Sequence, residues 1–86
     1  MSLQADFDKA AADVKNLTYK PTNDELLELY GLFKQATVGN NTTAAPGMFD
    51  LQGKAKWSAW KKFENLSKEE AQTKYIELVK QLQAKN

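Results

Sequence analysis

Apolar side chains return at intervals of three and four residues along most of the chain, in four separate stretches. Phe7, Ala10, Ala11, Val14 and Leu17 fall on one face of a helix that Ser2 can cap. Thr18-Tyr19-Lys20-Pro21 breaks it, because proline lacks an amide hydrogen and pushes its predecessor out of the α region. Thr22 and Glu25 have capping-box spacing, and Leu26, Leu27, Tyr30, Phe33, Lys34 and Thr37 mark one face of a second helix that ends near Gly39. A third helix is predicted over residues 51–63, with Ala55, Trp60 and Phe63 as core contacts and Asn65, which tolerates the left-handed conformation, ending it. Ser67 and Glu70 form another capping box, and Ala71, Tyr75, Leu78, Val79 and Leu82 carry the fourth helix.

Between the second and third helices, Val38 to Asp50 is rich in turn formers and has no sustained period. A connection of about a dozen residues is long for a small domain, and such loops are functional or span the length of the fold. Here it would let the third helix run parallel to the second. With no strand-like alternation and no internal repeat, the predicted class is all-α, one four-helix domain over residues 1–86.

Composition removes most chemistry. The chain lacks cysteine, so disulfides, thiolate metal sites and a cysteine nucleophile are excluded. It also lacks histidine, the usual general base near neutral pH and the commonest zinc ligand. Glu69 and Glu70 are adjacent in a helix first turn, where they suit the dipole, and do not face each other as an acid/base pair. No catalytic residue, metal site or cofactor is expected. A net charge of +1 and a basic complement made entirely of lysine argue against nucleic-acid binding. No apolar run approaches the ~20 residues that span a bilayer, and the start has no secretory pattern, so an intracellular protein is expected. The N-x-[ST] triplets at Asn16, Asn40, Asn41 and Asn65 are then coincidental.

One stripe stands out. Tyr30, Phe33, Lys34 and Thr37 place a lysine among aromatic and apolar groups, where an unpartnered buried ammonium would be costly. Either Lys34 snorkels from the core rim, or it meets an anion brought by a ligand, with the Tyr30 hydroxyl as second donor and Phe33 as a flat surface for a base. Lys54 and Lys56 are about 200° apart on a helix, so only one can face a given groove, and Lys56 shares its face with Trp60. Taken alone, both tryptophans and Tyr75 fit core roles. These patterns leave function open.

Longer strings go further. Tyr30 to Gly39 reads YGLFKQATVG, Pro46-Gly47-Met48 follows, and Gly53 to Trp60 reads GKAKWSAW; together they resemble the acyl-CoA-binding protein family. The likeness extends through Lys15, Lys20-Pro21 and Ser67-Lys68-Glu69-Glu70-Ala71 to Tyr75-Ile76, covering essentially the whole chain. It implies an up-down-down-up four-helix bundle with a long overhand connection between helices two and three. It also implies non-catalytic binding, transport and buffering of medium- to long-chain fatty acyl-CoA esters, with transient contacts to acyl-CoA-using enzymes or membranes. By position, Tyr30, Lys34 and Lys56 would hold the ribose 3′-phosphate, Phe33 would stack near the adenine close to Ala11, and Lys15, Lys20 and Tyr75 would touch the CoA head. Phe33 departs from the family's usual tyrosine, and Asn65-Leu66 from its glycine before the serine cap.

Two other classes compete with that implication. The loop from Val38 to Asp50 could recognise a protein partner, or the chain could be an accessory domain of a CoA-using enzyme. Helical patterning up to both ends favours a free-standing domain; the resemblance implies a monomer, and no charge pattern marks a helical seam for a dimer.

Overall fold

The computed structural model describes residues 2–85. Four α-helices follow in order, α1 (Leu3–Asp13), α2 (Asn23–Thr37), α3 (Leu51–Lys61) and α4 (Lys68–Ala84), with a 3₁₀ turn at Val14–Asn16 closing α1. The caps are the ones the sequence offers. Ser2 Oγ accepts the Ala5 amide, and both capping boxes form, Thr22 with Glu25 and Ser67 with Glu70. Asp50 starts α3 by accepting the Gly53 amide at 3.0 Å.

Contacts between the helices fix their directions. Gln72 Nε2 donates to Gln4 Oε1 at 3.0 Å and the Tyr75 ring lies 5.1 Å from Phe7, so α1 and α4 ascend together. Phe33 meets Tyr75 at 5.9 Å while Lys85 reaches Glu25, so α2 runs against α4. Lys56 sits over the Tyr30 ring and Lys34 over Trp60, so α3 runs parallel to α2. The topology is therefore up-down-down-up, and the segment between α2 and α3 returns the chain along the length of the bundle.

α4 is central, packed against α1 and α2, while α3 flanks α2. The core gathers Phe7, Ala10, Leu29, Leu32, Ala36, Ala71, Tyr75, Val79 and Leu82. At such positions a Leu32→Ala change costs about 2–5 kcal/mol. The buried face of α2 thus runs through Leu29, Leu32 and Ala36, one step round from the predicted stripe, whose members Leu26, Phe33 and Thr37 are exposed. α2 has two apolar faces, and only one covers the core.

Two local expectations are corrected. Asn65 does not adopt the left-handed conformation, since Gly39, at φ 100°, is the one described residue with positive φ. Instead α3 ends at Lys61 and unwinds through turns in which the amides of Phe63, Glu64 and Leu66 bond three residues back. The α-helix of α1 likewise ends at Asp13 and passes into the 3₁₀ turn, short of Leu17.

The overhand loop is stapled to α3 by side chains. Buried Asn41 donates to the Trp57 carbonyl at 3.2 Å and accepts from the Thr43 amide and hydroxyl at 3.0 and 2.6 Å. Trp57 Nε1 donates to the Thr43 carbonyl at 3.0 Å and Trp60 Nε1 to the Gly39 carbonyl at 2.8 Å. Both indoles therefore meet their single donor's need on loop backbone.

Candidate ligand-binding site

The second apolar face of α2 opens onto two adjoining grooves. One, of about 370 Å³, is lined by Val14, Lys15, Pro21, Leu26, Leu29, Tyr30, Phe33 and Tyr75, between α2 and the end of the α1 segment. The other, of about 620 Å³, lies between α2 and α3 and includes Leu26, Leu27, Tyr30, Leu51, Ala55 and Lys56. They share Leu26 and Tyr30, so Tyr30 forms the rim between them.

Beside that rim two lysines cross between helices. Tyr30 and Lys34 are one turn apart on α2, Lys56 and Trp60 one turn apart on α3. Lys34 Nζ lies 5.0 Å from the Trp60 ring centre and Lys56 Nζ 5.6 Å from the Tyr30 ring centre, each within cation–π range of the aromatic on the facing helix. Among the described residues, no carboxylate pairs with Lys15, Lys20, Lys34 or Lys56, although Lys9, Lys61 and Lys85 all have such partners. Aromatic faces hold the ammonium groups in place without neutralising them, so their charge and donors stay available to an anion.

The floor of the first groove is aromatic. Phe33, 38% exposed, stacks on Phe7 at 5.6 Å and leans on Tyr75. This leaves one face of a rigidly backed ring open to solvent. Tyr75 is 4% exposed, yet its hydroxyl finds no hydrogen-bond partner among the described residues. Burial pushes its pKa above the ordinary 10.0, so at neutral pH it is a protonated donor facing the groove.

Of the residues singled out from sequence, Lys15, Tyr30, Phe33 and Tyr75 line the first groove, while Tyr30 and Lys56 line the second. Lys34 stands at the crossing. Ala11 packs on the core one turn before Val14 and lines neither groove, and Lys20 is exposed beside groove-lining Pro21. Lys54 lines neither groove, in keeping with its angular separation from Lys56. Sequence reasoning missed Leu51 and Leu27 as groove walls and Asn41 and Gln35 as buried polar anchors. Leu51 was hidden because a helix-opening residue shows no periodicity of its own. Asn41 lay within an Asn/Thr run that signals only a turn.

No three His, Cys, Asp or Glu side chains gather as a metal site among the described residues. Among the described residues no helix is long and apolar enough to cross a membrane. The arrangement sets ammonium groups without carboxylate partners and an exposed ring face beside apolar grooves, surfaces able to accommodate an anion, a flat ring and an apolar chain.

The family model described as Acyl CoA binding protein matches residues 4–79. The chain is 63% identical to acyl-CoA-binding protein homolog 1 of Caenorhabditis elegans over 79 residues, covering 92% of each chain. It is 55% identical to the acyl-CoA-binding protein of Brassica napus over 82 residues, 95% of this chain and 89% of that one. In structure it resembles the crystal structure of Oryza sativa acyl-CoA-binding protein 2, with TM-score 0.93, 49% identity, and 96% and 90% of the two chains covered. The chain belongs to the acyl-CoA-binding protein family.

Proposed function

We propose that this protein binds medium- to long-chain fatty acyl-CoA esters in the cytoplasm, buffering and carrying them without performing chemistry. The observation that carries the reading is the crossed pair Lys34–Trp60 and Lys56–Tyr30, two uncompensated ammonium groups at the meeting of two apolar grooves. The 3′-phosphate is assigned to Tyr30, Lys34 and Lys56, where charge-assisted donors converge. Adenine stacks on the open face of Phe33, near Ala11, and Lys15, Lys20 and the Tyr75 hydroxyl contact the rest of the CoA head. The acyl chain is assigned to the groove of Leu26, Leu27, Leu51 and Ala55.

An apolar groove of this kind makes affinity climb with chain length. Burying ~10 methylenes at about 0.8 kcal/mol each offers roughly 8 kcal/mol before the costs of association. Calorimetry with acetyl-, octanoyl- and palmitoyl-CoA tests this; equal affinity for all three would refute the acyl assignment.

A specific observation also favours delivery at a membrane surface. Phe49 is 94% exposed, Met48 and Leu51 are nearly as bare, and α3 carries Lys54, Lys56 and Lys61 with no acidic residue. An apolar tip on a basic helix suits an anionic bilayer. Flotation with phosphatidylserine vesicles should be weakened by Phe49→Ser; retention by purified acyl-CoA-using enzymes without vesicle binding would assign the tip to a protein partner instead.

A further inference from the structure

Gln35 follows Lys34 on α2 and is 1% exposed, a long polar side chain inside an apolar core face. Its Nε2 donates to the Leu66 carbonyl at 2.7 Å and to Asn40 Oδ1 at 2.9 Å. A carbonyl can only accept, so the Leu66 contact fixes which way the amide points. Among the described residues its Oε1 has no donor, so the side chain is retained at a cost that its two bonds alone must offset. Such a group suggests a task beyond packing.

The bonds around it lead back to Lys34. The Lys34 carbonyl accepts the amides of both Val38 and Gly39, at 2.8 and 3.2 Å, folding the end of α2 onto the lysine's own backbone. Gly39, left-handed at φ 100°, turns its carbonyl to Trp60 Nε1 at 2.8 Å. The same indole lies under the Lys34 ammonium. Gln35, by holding Asn40, fixes the residue next to Gly39 and so the carbonyl that orients Trp60. Through Leu66 it ties this arrangement to the turn that ends α3, the helix on which Trp60 sits.

We propose that Gln35 is a positioning residue for the phosphate site, holding the Gly39 carbonyl so that Trp60 presents its ring to Lys34. The inference rests on the assignment of Lys34 to the 3′-phosphate. Freed from this clamp, the indole turns, Lys34 loses its platform and follows solvent, and the protein loses discrimination for the phosphate while its acyl groove is unchanged.

The test compares dodecanoyl-CoA with dodecanoyl-3′-dephospho-CoA by calorimetry in the wild type, Gln35→Met, Asn40→Ala and Trp60→Phe. Methionine keeps the volume and removes the unpartnered acceptor. Asn40 is exposed, so its truncation leaves the core intact even if Gln35→Met fails to fold. Trp60→Phe keeps a ring but not the bond to Gly39. Ser2→Ala, which removes the α1 cap outside the network, controls for lost stability. Each network variant should lower the ratio of the two affinities about three- to tenfold, the equivalent of one hydrogen bond, and Ser2→Ala should leave it unchanged. If the wild type discriminates and Asn40→Ala discriminates equally, the inference is overturned. If the wild type itself shows no preference for the phosphorylated ester, the underlying phosphate assignment fails first.

Discussion

Gly31 sets how closely α2 and α3 approach, and Gly31→Ala is the most informative single change for the architecture of the site. A methyl group built there would contact the Ala59 carbonyl, with its carbon at 2.7 Å and Phe63 Cδ2 at 2.9 Å. The carbonyl is helix backbone and cannot rotate away, so α3 must move. Overpacking of this kind costs typically 1–3 kcal/mol, here at the upper end, against about 1 kcal/mol gained from replacing glycine within a helix. The net loss is about 2 kcal/mol, or roughly 8–16 °C in melting temperature for a domain of this size. Because Tyr30 and Lys34 flank Gly31 and face α3, the same displacement loosens the crossed lysine–aromatic pairs and weakens acyl-CoA binding. Urea denaturation with calorimetric titration reads both effects. A Gly31→Ala protein as stable as wild type and binding equally well would show that the two helices are not in the tight register described.

Other expectations follow from single contacts. Tyr75→Phe removes a hydroxyl with no partner among the described residues, so stability to urea should change by less than about 0.5 kcal/mol while ligand affinity falls by about 1 kcal/mol; lost stability with unchanged affinity would assign the hydroxyl to the fold. Phe33→Tyr should alter acyl-CoA affinity by no more than about 1.5 kcal/mol, since the stacking surface is already present, and a larger gain in titration would contradict that. Glu25 and Glu70 are held below the ordinary carboxylate pKa of 4.5, first by the backbone amides of Thr22 and Ser67. With folded values below unfolded ones, their contribution is complete above the ordinary value and lost as pH falls through the depressed one. Melting curves below pH 4.5 should therefore depend less on pH in the Glu25→Gln, Glu70→Gln double variant than in wild type; parallel curves would show the capping boxes to be electrostatically silent.

Much of this structure is local, and what is local was legible. Caps at Ser2, Thr22 and Ser67 need only side chains three residues from their partners, and Pro21 ends its segment by its own chemistry. The length of the loop pointed to parallel second and third helices. The end of α3 depended on tertiary context: Gln35, from α2, captures the Leu66 carbonyl and allows a run of turns where a left-handed Asn65 had been expected. The second helix was legible in period but not in phase, because α2 is apolar on two sides. Its stripe of Leu26, Tyr30 and Phe33 is the groove-facing side, and sequence alone could not tell whether core or solvent covered it. Resemblance to the acyl-CoA-binding family supplied roles that periodicity could not. The structure brings Tyr30, Lys34 and Lys56 together from two helices and leaves Ala11 and Lys20 outside the groove lining.

The central claim is that Lys34 meets the phosphate of a bound acyl-CoA ester. It is tested most directly by titrating palmitoyl-CoA into wild type and Lys34→Ala in a calorimeter at fixed ionic strength, with palmitate and free CoA as controls. Tight one-to-one binding of the ester, weakened roughly ten- to hundredfold by loss of a charge-assisted contact, is the predicted result. Equal binding by both proteins would contradict the phosphate assignment, and absence of binding by wild type would contradict the carrier function itself.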